Sequence, residues 1–209
     1  MSHEQHTKKE VTVINSARVP FILVLLMWLV FVIEWVFQLK GISQWGIHPR
    51  HVDGLWGLLF SPFIHGGFDH IINNTPPIFI LTWALFYFYR RIAYEVLALS
   101  AIVGGAFVWI AARDSFHIGM SGVIYALAFF IFFSGVFRKE PKLLAIALFV
   151  VFLYGSMVWG VFPIDLTVSF EGHFFGALTG TALAYFYQRE GETFKKKVYQ
   201  WEIDKKMKN

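Results

Sequence analysis

The sequence predicts an all-α membrane protein with a bundle of six transmembrane helices. Three observations carry that expectation. Of 209 residues, 56% are hydrophobic and only 15% charged, against about 45–50% and 25% in soluble globular domains. Six stretches are long and apolar enough to cross a bilayer, which takes roughly 20 residues of helix. The 18 Lys and Arg residues gather almost entirely on one side of the alternation that those stretches define. Such a composition excludes a disordered chain, a nucleic-acid-binding tail protein and an ordinary cytosolic enzyme. Cysteine is absent, which removes disulfides, thiolate metal sites and a Cys nucleophile.

The first span is read at residues 19–39, with Glu34 interrupting it late. Its apolar run exceeds a signal-peptide h-region, and Glu34-Trp35-Val36-Phe37 stands where a small-residue cleavage site would follow, so it reads as retained. The second span is read at 68–89, the third at 92–112 and the fourth at 119–137. The fifth follows at 143–162 and the sixth at 170–187. Thr75-Pro76-Pro77 is expected to kink the second span, because each proline removes a backbone donor.

An even span count puts both termini on one side. That side also holds the loops after spans two and four, and with them 15 of the 18 basic residues; Lys40, Arg50 and Arg113 lie on the other. Positive charge marks the cytoplasmic side, so both termini are expected there, in a multi-pass protein of the bacterial plasma membrane. The chain divides into a cytoplasmic segment 1–18, a six-span core 19–188 and a basic cytoplasmic tail 189–209, with no internal repeat or second domain. In the tail, Phe194, Val198 and Trp201 among lysines suit either an anionic inner leaflet or a solvated segment. The longest external connection, residues 40–61, carries Trp45, Pro49, Trp56 and Phe60 and is expected to lie in the interface.

Polar residues at membrane depth are costly and are functional candidates by default. Five stand out: His65, His70, Asn74, Ser121 and His173. Spans two, four and six all run inward. His70 and Asn74, Ser121, and His173 lie near the starts of those spans and therefore at similar depth in the outer leaflet. His70 and Asn74 are four apart and share a helix face, as do Ser121 and Tyr125. His173, Gly176 and Gly180 form one small-residue face, which lets helices approach closely in lipid. If that face meets Gly119, Ser121 and Gly122 of the fourth span, Ser121 and His173 come within hydrogen-bond reach, the geometry of a base-activated nucleophile.

Each residue also has an ordinary reading. Ser121, Asn74, His70 and His173 singly suit interhelical hydrogen bonds, and the glycine face suits packing. His65, His70, His117 and His173 could instead hold a metal, although no carboxylate or His-Glu-x-x-His pattern accompanies them. Glu34 is expected to have a structural partner or interfacial water, and Glu95 to lie within reach of Arg90 or Arg91.

His65-x4-His70-x3-Asn74, Gly119-Met120-Ser121-Gly122 and Gly172-His173-x2-Gly176-x3-Gly180, in that order on spans two, four and six, resemble the rhomboid intramembrane serine proteases. The resemblance covers the six-helix core, about 19–187. It implies a six-transmembrane-helix rhomboid-like bundle and a Ser-His dyad without an acid. Ser121 would be the nucleophile, His173 the general base, and Tyr125 a ring stacked on His173. His70, Asn74 and the Ser121 backbone N–H would form the oxyanion hole, with His65, Gly119, Gly122, Gly176 and Gly180 in support. The implied activity is endoproteolysis of transmembrane segments of other membrane proteins, with no metal, nucleotide or other cofactor and no nucleic-acid partner. Three features depart from the family pattern: Gly57 rather than Arg follows Trp56, no Glu-x-x-Arg stands around Arg90 and Arg91, and Pro76-Pro77 is unusual. The alternatives are an inactive rhomboid-like protein that binds transmembrane clients and a small transporter or channel.

Overall fold

A computed structural model describes residues 13–139, 141–153, 159–164 and 168–190. Helices α1 (Val13–Ser16) and α2 (Arg18–Phe37) open the chain. Short turns at Ile42–Trp45 and Asp53–Trp56, helix α3 (Gly57–Phe60) and a turn at Ser61–Phe63 lead to α4 (Phe68–Phe88). Then come α5 (Ala93–Ala111), α6 (Ser121–Arg138), α7 (Pro141–Leu153) and α8 (Phe170–Phe186). Among the described residues there is no strand, only one bridge between Ile47 and His117.

Among the described residues, four stretches are long and apolar enough to cross a membrane: Val13–Phe37, Phe68–Phe88, Ala93–Ala111 and Ser121–Arg138. They occupy the first four expected spans. The other two positions hold shorter helices, α7 with 13 residues and α8 with 17. Part of the expected fifth span, residues 154–158, lies outside the described residues, as does the tail from residue 191. Large apolar side chains such as Phe21, Leu25, Leu29 and Val36 on α2 stand exposed. An apolar surface of that extent is at home in lipid rather than water.

The core forms where stripes at helical spacing meet. Ile71, Ile78, Leu81 and Leu85 of α4 pack with Ile124, Leu127, Phe130 and Ile131 of α6, and Met27 and Phe31 of α2 close one side. Asn74 falls on the same α4 stripe, at i+3 from Ile71, and is buried with it; Asn73 is exposed. Helix α8 packs against α6 by omitting side chains. A Cβ on Gly176 would run into the Gly122 carbonyl oxygen, and one on Gly180 into the Ala126 carbonyl oxygen. The seam that carries His173 is therefore as narrow as two helix backbones allow.

Helix α4 runs unbroken across Pro76 and Pro77, and Thr75 just before them is tied in by its hydroxyl, which donates to the Ile71 carbonyl (2.7 Å) and accepts from Trp28 Nε1 (3.0 Å). Arg91 pairs with Glu190 at 3.8 Å where the end of α8 comes down beside the start of α5, and Glu95 lies on that same side, next to Tyr187. The Glu34 Oε2 is buried without a hydrogen bond among the described residues, in a groove shared by Phe31, Trp35, Gln38, His65 and Phe68.

The long connection 40–61 exposes Trp45, Trp56 and Phe60, and it is firmly built. Arg50 donates from its backbone to the Trp109 carbonyl (2.9 Å) and from its side chain to that of Ala112 (2.6 Å). Trp109 Nε1 in turn donates to the His51 carbonyl (2.8 Å). The connection is thereby fastened to the end of α5, next to the loop that leads into Ser121.

Candidate active site

Ser121 opens α6, so its backbone N–H is one of the donors that helix geometry leaves without an intrahelical partner. The turn before it is set by Gly119, whose φ of +105° disfavours any side chain. The Gly119 N–H donates to the Ser61 carbonyl (2.8 Å), anchoring that turn to the connection.

His173 lies in the first turn of α8, behind Ser169, whose hydroxyl oxygen caps the helix by accepting from the Gly172 N–H (3.4 Å). Nε2 of His173 is 2.8 Å from Ser121 Oγ, and Nδ1 is 2.8 Å from the Gly160 carbonyl oxygen. A carbonyl can only accept, so Nδ1 holds the ring proton. Nε2 then presents its lone pair to the Ser121 hydroxyl. The Tyr125 ring stacks on His173 at 4.2 Å between centroids and 12° between planes. One ring face and one ring nitrogen are thus held, and the other nitrogen is aimed at the serine.

Across the turn, His70 and Asn74 converge on Gly119. A Cβ there would lie 2.6 Å from His70 Nε2 and 3.6 Å from Asn74 Nδ2. Asn74 Nδ2 is buried and has no acceptor among the described residues, an expensive state for an amide donor. His65 meets the His70 ring edge-on at 4.9 Å and 66°, with its Nδ1 3.3 Å from the Phe63 carbonyl. Burial, with a smaller contribution from His70, pushes His65 down to about 4 against the opposing Phe63 hydrogen bond, so it is neutral at pH 7. A cavity of about 900 Å³ is lined by His70, Asn74, Ser121, Tyr125, Gly160 and His173. A serine hydroxyl aimed at a free imidazole lone pair, beside unpaired donors in a cavity, can attack a carbonyl and stabilise the resulting oxyanion.

The structure brings together His70, Asn74, Ser121, Tyr125 and His173. It places His65 and Gly119 against the donor side, and Gly122, Gly176 and Gly180 in the α6–α8 seam. It does not assemble the four histidines considered as metal ligands. His117 is engaged by Ser169 (2.6 Å) and the Arg113 carbonyl (3.1 Å), and His173 by Ser121 and Gly160.

Several contributors have no sequence signature. Gly160 supplies the acceptor for His173, and a Cβ on it would collide with the Tyr125 hydroxyl and lie 2.9 Å from His173 Nδ1. Arg113 meets the buried Glu171 at 3.4 Å and donates to the Val168 carbonyl (2.7 Å), fixing the start of α8. His117 donates from Nε2 to the Arg113 carbonyl and accepts the Ser169 hydroxyl proton at Nδ1, a chain that ends in the α8 cap. Burial lowers the His117 pKa, which keeps the neutral form that this chain needs.

Comparison with known proteins gives a match to the Rhomboid domain family model over residues 52–190. An uncharacterized protein of Mycobacterium tuberculosis is 31% identical over 168 residues, covering 75% of this chain and 70% of its own. An uncharacterized protein of Mycobacterium bovis matches to the same extent. One from Mycobacterium leprae is also 31% identical over 168 residues, covering 66% of its own length.

Proposed function

The chain belongs to the rhomboid family, and from that premise we propose that it is an intramembrane serine endopeptidase that cuts transmembrane segments of other membrane proteins. The observation that carries the reading is the hydrogen bond of Ser121 Oγ to His173 Nε2, with Nδ1 committed to Gly160. Ser121 attacks the scissile carbonyl as His173 takes its proton. The oxyanion is met by His70, Asn74 and the Ser121 N–H. His173 then protonates the leaving amine, and water in the cavity releases the acyl group by the reverse proton path. The orienting role that an acid plays in a triad falls to the Gly160 carbonyl and the Tyr125 ring. No cofactor takes part.

The same reading extends to architecture. The core 19–188 has six spans, with α7 and α8 belonging to the last two, and both termini face the cytoplasm. Ser121 then lies near the outer leaflet. Residues 189–209 form a basic tail whose lysines contact anionic lipid. Reporters fused at the N-terminus, at Lys139 and at the C-terminus are expected to read cytoplasmic, and one near Arg50 extracytoplasmic. A reversed reading at any of them breaks the alignment of spans two, four and six.

The direct test is a fluorophosphonate probe on the purified protein. It is expected to modify Ser121 alone and to leave Ser121→Ala unlabelled. A folded wild-type protein that takes no label would be a client-binding relative rather than a protease.

A further inference from the structure

Where the connection 40–61 meets the α5–α6 loop, away from the dyad, two histidines and one aspartate form a cluster with no part in the chemistry above. His48 and His51 stack face to face, 3.8 Å between centroids and 4° between planes. Both aim Nε2 at the same oxygen, Asp114 Oδ1, at 3.0 Å from His48 and 3.8 Å from His51. His48 Nδ1 is buried and unpartnered, so Nε2 is the nitrogen that faces the cluster. The donor atoms of all three residues lie within 4.8 Å of one another, and among the described residues no other set of His, Asp and Glu converges in this way.

We propose that His48, His51 and Asp114 bind a zinc ion on the loop face beside the α5–α6 connection. The donor set of two imidazoles and one carboxylate is a known zinc set, with bonds of about 2.0–2.2 Å. Tetrahedral ligands at that bond length lie about 3.4 Å apart, and the two nitrogen–oxygen separations fall on either side of this. An ordinary surface ion pair needs only one imidazole per carboxylate. Here a second ring is stacked on the first with its nitrogen turned to the same oxygen, which brings all three donor atoms together; rings so nearly parallel send their lone pairs into parallel planes, so the more exposed His51 ring tilts when both bind one ion.

The surroundings hold the ligands for such an ion. His48 packs against Phe116 at 4.4 Å, and a Cβ on Gly54 would run into its backbone, so no side chain separates the 48–54 turn. His48 is 19% exposed, against 52% for His51 and 68% for Asp114, so one ligand is fixed and the others can close on the ion. Asp114 stands between Arg113 and Ser115, which both line the large cavity. Zinc would thus tie the 48–51 turn to the loop whose Arg113 secures the start of α8. This role is structural, with water completing the coordination, and it does not depend on the proposed proteolysis.

The full chain in detergent, stripped with a chelator and titrated with Zn²⁺ alone, tests this. Calorimetry is expected to show one ion per chain. Tm is expected to rise by roughly 5–10 °C at a zinc concentration 100 times Kd. Mg²⁺ and Ca²⁺, which prefer all-oxygen sites, are expected to leave Tm unchanged. His51→Ala and Asp114→Asn, both at exposed positions, are expected to melt cooperatively without zinc and to bind it at least tenfold more weakly. Folded wild-type protein that binds no zinc overturns the proposal. So does binding that persists in both variants, or that disappears in His65→Ala while surviving His51→Ala.

Discussion

Ser121→Ala and His173→Ala are each expected to reduce cleavage of a transmembrane substrate by roughly 10⁴–10⁶-fold, to the level left by binding and the oxyanion donors. The two residues act as one unit. With Ser121 absent there is no nucleophile for His173 to activate. With His173 absent the hydroxyl keeps its proton at the moment of attack. The double variant is therefore expected to be no slower than either single one, since each already removes the whole device. Folding is a separate matter. Ser121→Ala removes one partly buried hydroxyl, whereas His173→Ala also leaves the Gly160 carbonyl and the Tyr125 ring face without their partner. A net loss of about 1 kcal/mol for a hydrogen bond makes His173→Ala the less stable variant, though still folded. Initial rates in detergent or vesicles, normalised to folded protein by thermal melt, check both expectations. Cleavage by Ser121→Ala at even a hundredth of the wild-type rate would remove the serine from the mechanism.

What the sequence disclosed of this site, and what it did not, follows from the range of each interaction. The proximity of Ser121, His173, His70 and Asn74 was legible because helix spacing alone groups their faces. The i+4 step joins His70 to Asn74, and the glycine face brings α8 onto α6. Asn74 shares the buried stripe of Ile71 and Ile78, so its orientation was written in the same period as the core. Gly160 was illegible because it acts through a backbone carbonyl, which every residue possesses. Arg113 with Glu171 and His117 with Ser169 join residues 58 and 52 apart along the chain, and no local pattern announces either pair. Charge complementarity nominates neighbours in sequence, whereas packing pairs Arg91 with Glu190 from far along the chain. Among the described residues α2, α4, α5 and α6 belong to stretches both long and apolar enough to cross, whereas α7 and α8, with 13 and 17 residues, are shorter, and α8 carries Glu171 and His173 in its first turn.

Asn74→Ala is expected to lower turnover by up to 10²–10³-fold while leaving substrate binding nearly unchanged. The amide Nδ2 is buried, lacks an acceptor and points toward the bare Cα of Gly119 beside Ser121. A donor left unpaired in the ground state gains its hydrogen bond when the carbonyl oxygen becomes an oxyanion. Its stabilisation therefore falls on the transition state and not on bound substrate. The loss is bounded because His70 and the Ser121 N–H remain as donors, and His70→Ala is expected to behave in the same way. A role as interhelical glue predicts the reverse. Interhelical hydrogen bonds in membranes average about 0.6 kcal/mol, and Asn74 Nδ2 makes none in the described structure. Under that reading Asn74→Ala would leave turnover per folded molecule intact. Asn73→Ala is the internal control. Asn73 is exposed and lies about 100° around α4 from Asn74, so its removal is expected to change neither rate nor Tm appreciably. The measurement is kcat and KM at saturating and limiting substrate, normalised to folded enzyme. A wild-type kcat in Asn74→Ala, with the loss appearing in Asn73→Ala instead, would put the reacting carbonyl on a different face of α4 from the one that Gly119 leaves open.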